Sequence, residues 1–294
     1  MPNIAEVMKT STELRSAADL LGERKAVELI AKAGFDGWDF SLYEICKYSK
    51  KLGCAPYSDH PLAGNNYLSF VRELRKIGED NGIVCNQSHA PVPTYAPPVR
   101  DLLKKAIECT AEAGGEVCVI HPGNDYTVEQ NTEIYLELLP FAKDHGVKIA
   151  TENMWNWDKV TDQAAPAACS TPQSFKAHLD EINDPYFVAC LDIGHAEMRG
   201  HNTNAVEMIH ALGSRIGALH LHDNDQWKDS HQIPFSMNID FEAVTRALKE
   251  ENYTGWVTLE AYNYLKDFTP ETAFDGLRNL SAAARRLADM LKLF

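Results

Sequence analysis

The sequence predicts an α/β protein: a single (β/α)8 barrel over residues 1–294, with its active site at the C-terminal ends of the strands. Three observations lead there. One unit recurs along the whole chain: an amphipathic helix, a glycine or other turn residue, then a short strand. The strands are mostly unbroken apolar runs, as a parallel sheet buried on both faces requires. No GxGxxG or GxxxxGK[ST] loop follows an early strand, and a doubly wound nucleotide-binding sheet would carry one.

The units follow in order. An opening strand is expected near Ile4–Met8. ERKAVELIAKAG then leads to FDGWDF, LSFVRELRKIGEDNG to IVCNQSHA, VRDLLKKAIECTAEAGG to EVCVIHPG, and TEIYLELLPFAKDHG to VKIATEN. FKAHLDEINDP leads to YFVACLDIGH, AVEMIHALGSRIG to ALHLHD, and FEAVTRALKEENYTG to WVTLEAY. Apolar residues at i, i+3, i+4 and i+7 give each helix one face for a sheet. Glycine suits the left-handed position after a helix. A last helix is expected from about Pro270 to Leu291, and no linker divides the chain.

Composition bounds the function. At 45% hydrophobic residues the chain has material for a large core, yet no run approaches the roughly 18 apolar residues of a membrane span. The start, MPNIAEVMKTSTELR, lacks the apolar segment of a secretory signal, and the seven cysteines are scattered without a CxxC pair. Reduced thiols in a cytoplasmic protein are expected, with no membrane partner. Lys and Arg total 28 against 42 Asp and Glu, a net charge of −14. That balance suits cation clusters and opposes binding to a polyanion, so no nucleic-acid partner is expected.

The strand ends carry the chemistry. QSHAPV ends strand three with His89, VIHPG strand four with His121, and ATEN strand five with Glu152. CLDIGH supplies Asp192 and His195; HLH supplies His220 and His222, with Asp229 and His231 in the following loop; VTLE supplies Glu260. A lone histidine there is more often a hydrogen-bonded structural residue. Convergence of Glu152, Asp192, His220 and Glu260 in one mouth calls for a cation, because buried carboxylates are costly unless paired or coordinated. Three carboxylates and one imidazole make a hard site for one divalent metal, Mn, Co or Mg, with Zn also compatible. His222 shares the strand face of His220 but lies further out, and is read as a substrate or supporting contact.

Other residues carry lesser expectations. Trp155 and Trp157 stand in a long loop after strand five, NMWNWDKVTDQAAPAACSTP, either as a lid that stacks on substrate or as packing. Arg199 is a candidate for a substrate oxygen, or a partner for a surface acid. Asp223 is a candidate to orient His220 or His222. Trp38 and Asp39 are candidates for the pocket floor, and residues 42–66 for a connection over the mouth.

With these residues in this order, the chain resembles the xylose-isomerase-like TIM-barrel superfamily, which includes sugar isomerases and epimerases and the endonuclease IV type of apurinic-site nuclease. The likeness spans nearly the whole chain and is most specific in HPG, TEN, LDIGHAE, HLHDND…DSH…ID and the final LE. The epimerase branch implies one divalent metal on Glu152, Asp192, His220 and Glu260, with Glu152 and Glu260 as catalytic acid and base and His195 on the substrate. The nuclease branch implies up to three zincs on His89, His121, Glu152, Asp192, His195, His220, Asp229, His231 and Glu260. The nuclease family's glycine-rich stretch after the loop histidine is here IPFSMNID, which removes its substrate loop.

A metal-dependent sugar isomerase or epimerase follows as the expected function, with a small sugar as partner and a homo-oligomer as an implication of the resemblance. The metal would polarise a ketose carbonyl, one glutamate would take the adjacent proton, and an enediolate would form. Two other readings stay open: a zinc phosphodiesterase on abasic DNA, and a lyase, a dehydratase or a subunit of a deglycosylating enzyme.

Overall fold

In the computed structural model, which describes residues 8–53 and 55–293, eight parallel strands alternate with helices around a nearly closed barrel. They are β1 (Thr10–Glu13), β2 (Gly37–Ser41), β3 (Val84–His89), β4 (Val117–Val119), β5 (Lys148–Glu152), β6 (Phe187–Asp192), β7 (Ile216–His220) and β8 (Val257–Leu259). Their order is β8-β1-β2-β3-β4-β5-β6-β7, and a bridge between Leu221 and Leu259 joins the last pair.

The expected opening strand falls largely on residues 4–7, outside the described residues; β1 lies further along the chain. Its sequence, TSTE, has no apolar signature because it faces a polar half of the barrel interior. Ser11 Oγ donates to Thr258 Oγ1 (2.8 Å), Asn86 Nδ2 donates to the same oxygen (3.1 Å), and Gln87 Nε2 donates to Asp39 (3.0 Å). The other half is apolar, where Val117, Val119, Ala150, Cys190 and Ala218 form a small buried cluster of their own. Outside the strands, one continuous core joins the helices to the sheet, with Trp38, Phe40, Phe175 and Phe241 among its largest buried side chains.

Two helices end where the glycines predict: Glu23–Ala33 on Gly34 (φ 101°) and Leu103–Ala113 on Gly114 (φ 86°), both left-handed. The last helix is Ala273–Leu293, three residues later at its start than expected because Thr269 and Thr272 first make a capping turn. All six described cysteines are buried free thiols. Among the described residues no helix is long and apolar enough to cross a membrane.

Candidate active site

Strand alternation builds the site. Side chains two apart on a strand share a face, so the positions above Ala150, Cys190 and Ala218 of the interior are Glu152, Asp192 and His220. The same step gives Glu13 above Ser11, His89 above Gln87, His121 above Val119 and Glu260 above Thr258. With Asp39 of β2, all eight strands contribute a polar residue to one crown at the barrel mouth.

Glu152 is its hub. Its Oε2 lies 3.0 Å from His121 Nε2 and 3.7 Å from His89 Nε2; its Oε1 lies 3.3 Å from His220 Nδ1 and 3.7 Å from His195 Nδ1. Glu260 Oε2 approaches the same His220 nitrogen from the other side at 3.6 Å. The far nitrogen of His220, Nε2, is 3.1 Å from Asp39 Oδ2, the arrangement of a carboxylate that orients a ligating imidazole. Asp192 accepts the His195 backbone N–H through Oδ1 at 2.7 Å, which caps the short helix Ile193–Glu197, and sits 3.1 Å from His222 Nε2. Asn153 fixes Asp192 in place: its side-chain amide pairs with both the N–H and the C=O of Asp192, each at 2.8 Å.

A second cluster stands beside the first. Asp229 Oδ2 lies 2.9 Å from His231 Nε2 and 3.4 Å from His195 Nε2, while its Oδ1 is 3.6 Å from His222 Nε2. Here the main chain dictates the tautomers. The Nδ1–H of His195 donates to the Asn153 carbonyl (2.9 Å) and that of His231 to the Glu260 carbonyl (2.7 Å). A carbonyl only accepts, so in the neutral rings both Nε2 atoms turn a lone pair toward the Asp229 carboxylate. Such a contact is repulsive unless a cation or a second proton lies between.

The donor groups fit a divalent cation. Glu152, Asp192, His220 and Glu260 bring ligand atoms within 4.8 Å of one another; so do His195, His222, Asp229 and His231, and so do His89, His121 and Glu152. Asp192 Oδ2 and Asp229 Oδ1 are buried without a hydrogen-bond partner among the described residues, an arrangement that costs free energy unless a cation takes them. Protons resolve only part of the second cluster. Burial opposes a charge on His195 and His222, but Asp192 and Asp229 outweigh it and raise both pKa values; His231 is lowered by burial and by His222 beside it. The imidazole closest to Asp229 is therefore the one least able to charge.

Titration separates the two glutamates. Burial works against the Glu152 carboxylate, yet His220 and His121 outweigh it and hold the group well below the usual range. Burial pushes Glu260 well above that range, and the Glu152 charge adds to the rise.

The crown opens into three cavities. One of about 330 Å³ is lined by Glu13, Arg15, Asp39, Tyr43, His89, Glu260 and Tyr262, among others. A second, about 390 Å³, lies under the loop after β5 and includes His121, Glu152, Trp155, Trp157, His195, Asp229 and His231. A third, about 400 Å³, adjoins it at His121, Asn124 and Asn156. Trp155 and Trp157 thus line the mouth, and Trp155 Nε1 donates to Asp229 (3.3 Å), which ties this loop to the one after β7.

The structure corrects several expectations. His222 is fully buried and lines none of these cavities, so of its two readings the supporting contact holds and the substrate contact does not; it faces Asp192 and Asp229. Arg199 is exposed on the outside of its loop with its guanidinium 4.7 Å from the Trp227 ring centre, away from the mouth. Asp223 meets His222 through its main chain, whose carbonyl is 3.5 Å from His222 Nδ1; its carboxylate instead accepts the backbone N–H groups of Asn224, Met237 and Ile239 and so staples the loop after β7. Trp38 packs on the helix side of the sheet against Gly78, whereas Asp39 does reach the floor.

Sequence reading passed over Glu13, Tyr43 and Asn153. Counting two residues on from Ser11 would have found Glu13, had β1 been placed correctly. Tyr43, whose hydroxyl is 3.2 Å from His89 Nε2, follows β2 with no local signal. Asn153 stands inside the TEN motif but shows its purpose only when β5 and β6 are side by side.

The fold and this crown place the chain in a family. Residues 27–292 match the xylose isomerase-like TIM barrel, and the chain belongs to it. An uncharacterized protein of Methanocaldococcus jannaschii is 30% identical over 81% of this chain and 78% of its own length. An L-ribulose 3-epimerase of Methylomonas sp. (strain DH-1) is 24% identical over 82% of this chain and 79% of its own. Among solved structures, a D-tagatose 3-epimerase-like protein superimposes with a TM-score of 0.71 at 24% identity, covering 97% and 98% of the two chains. IOLI protein with a binding zinc atom superimposes with a TM-score of 0.71 at 18% identity, covering 98% and 99%.

Proposed function

We propose that the protein is a divalent-metal-dependent sugar epimerase or isomerase. One observation carries the reading: two carboxylates flank His220 Nδ1, at 3.3 Å for Glu152 and 3.6 Å for Glu260, and both line one cavity. Two carboxyl groups so placed can take a proton from a bound sugar and return one. Family membership and the names of the epimerase relatives support the same choice.

Glu152, Asp192, His220 and Glu260 would hold the cation, which when bound would act as a Lewis acid on a sugar carbonyl. Glu152 takes the proton from the adjacent carbon. Glu260 returns one, to the opposite face in an epimerisation or to the neighbouring carbon in an isomerisation. Asp39 holds His220, Asn153 holds Asp192, and Trp155 and Trp157 wall off water. The same reading takes a small sugar as partner, places the protein in the cytoplasm away from membrane and nucleic acid, and expects a homo-oligomer, which sedimentation would read.

The test is solvent-deuterium exchange at the carbon beside the carbonyl, followed by NMR over a panel of ketoses with metal-loaded protein. Exchange lost in Glu152→Gln and in Glu260→Gln is the expected result. No exchange on any ketose would sink the proposal. The three adjoining donor groups favour a second reading, a centre of two or three zincs that hydrolyses phosphodiesters. Incision of an abasic duplex would support it, against the net charge of −14.

A further inference from the structure

Several arginines of the outer helices close on an acid. Arg24 pairs with Glu73 at 2.6 Å, Arg72 with Glu112 at 2.7 Å and Arg100 with Glu137 at 2.8 Å, all on outer helices. Arg15 and Lys266, beside the first of the three cavities, are not engaged in this way. The Arg15 guanidinium makes no hydrogen bond among the described residues, and its nearest carboxylate, Asp19, is 3.9 Å away. The Lys266 ammonium has neither an ion pair nor a hydrogen bond among the described residues.

Both are held by aromatic rings instead. Arg15 lies 5.1 Å from the Tyr43 ring centre, and Lys266 lies 5.5 Å from that of Tyr262. Tyr43 and Tyr262 line the first two of the three cavities that border the donor crown. Arg15 itself lines the cavity floored by Asp39, His89 and Glu260, and shares with Lys266 a smaller one of about 210 Å³ at its rim. A guanidinium positioned by a ring keeps N–H edges free for a bidentate acceptor, the geometry that recognises phosphate and carboxylate. A neutral sugar would take hydrogen bonds from two such cations but no ion pair.

We propose that Arg15 and Lys266 form an anion subsite, and that the sugar this barrel takes carries a phosphate ester or a carboxylate at the end remote from the crown. This rests on the reading of the crown as a sugar site. The acidic floor repels an anion, so the charged end lies toward the rim, where the two cations are, and the carbonyl end lies toward Glu152 and Glu260.

Two measurements on the metal-loaded protein test it. In the first, deuterium exchange is compared for a neutral ketose, its terminal phosphate ester and the matching keto-acid. One anionic form should exceed the neutral sugar at least tenfold in kcat/KM, and which one does so identifies the group. Arg15→Gln and Lys266→Gln should each cut that preference at least fivefold through KM, with partial recovery in Arg15→Lys. Lys76→Gln, on an outer helix, controls for net charge. The second is calorimetric titration with inorganic phosphate, whose saturable binding should weaken at least fivefold in Arg15→Gln. Exchange without preference for an anion, together with phosphate binding indifferent to Arg15, overturns the subsite and leaves the sugar reading standing. Phosphate binding that depends on Arg15 and Lys266, with no exchange on any sugar, upholds the subsite and overturns the sugar reading.

Discussion

Two histidine–carboxylate pairs in this molecule have the same composition and opposite logic. On the outer loop, His60 Nδ1 accepts the Leu62 backbone N–H at 3.2 Å, so its Nε2 carries the proton and donates to Glu23 at 2.6 Å. At the mouth, His231 Nδ1 donates to a carbonyl, so its Nε2 turns a lone pair toward Asp229 at 2.9 Å. The main-chain partner alone decides which pair is complete in itself and which awaits a cation. Hence a histidine near an acid says little about metal; a histidine whose other nitrogen faces a carbonyl says much more.

The largest effect falls on the residue that both kinds of contact share. Glu152 faces four imidazoles, and Glu152→Gln keeps its shape while removing the charge. Turnover of the ketose should fall about 10³-fold or more, since general acid–base catalysis alone contributes roughly 10²–10⁴. Metal content by mass spectrometry should fall with it. Retention of both activity and metal would break the assignment.

The next test separates the two donor clusters. Both clusters reach the second cavity, Glu152 from one and His195, Asp229 and His231 from the other, but His222 of the second is closed off from it. Three imidazoles and one carboxylate suit zinc, and four protein donors complete a tetrahedral, structural site. Protein purified without added metal should carry at least two cations per chain. His222→Ala should lose one of them and weaken heat resistance, while retaining more activity than Glu152→Gln. Loss of every cation in His222→Ala would show that the clusters are one centre.

A smaller effect belongs to Asp39, which touches the centre only through His220. Removal of such a supporting carboxylate costs about 10–100-fold in metal affinity or activity. Asp39→Asn should therefore raise the metal concentration needed for half-maximal activity by about that factor, with activity recovered at saturating metal. Activity that stays low at saturating metal would mean that Asp39 acts on the substrate, whose cavity it also lines.

The barrel was legible in the sequence wherever strands are apolar runs between amphipathic helices, and the donors of β3 to β8 were legible because each ends such a run. Glu13 was passed over, and Asp39, expected at the floor and found there, gave no sign of its contact with His220, for two different physical reasons. β1 is a polar strand whose hydroxyls bond inside the barrel, so hydrophobic periodicity passes over it. Asp39 stands in an apolar context that hides its contact with a residue 181 positions away. For His222 the choice between a substrate and a supporting contact stayed open because strand alternation gives the face of a side chain and not its depth. Arg199 was misplaced, and Asp223 meets His222 by its carbonyl and not its carboxylate, because loops set direction by turns, which spacing along the chain does not reveal.

The smallest effect lies in the pair that needs no metal. His60 donates to Glu23 and holds that carboxyl below its ordinary range, against the cost of its partial burial. A depressed carboxyl stabilises the fold at pH values above its unfolded value, near 4.3, and loses that contribution as pH falls through the lower folded value. Glu23→Gln should cost about 1 kcal/mol at pH 7 in urea unfolding, the scale of a hydrogen bond to a charged group. The difference between the two proteins should shrink toward zero as pH approaches about 3, where a protonated glutamate is nearly a glutamine. At the mouth, acid acts differently: protons compete for the imidazoles, and bound metal is released with the loss of activity. Were Glu23→Gln instead to change metal content, the outer pair would be coupled to the crown and the contrast between the two pairs would fail.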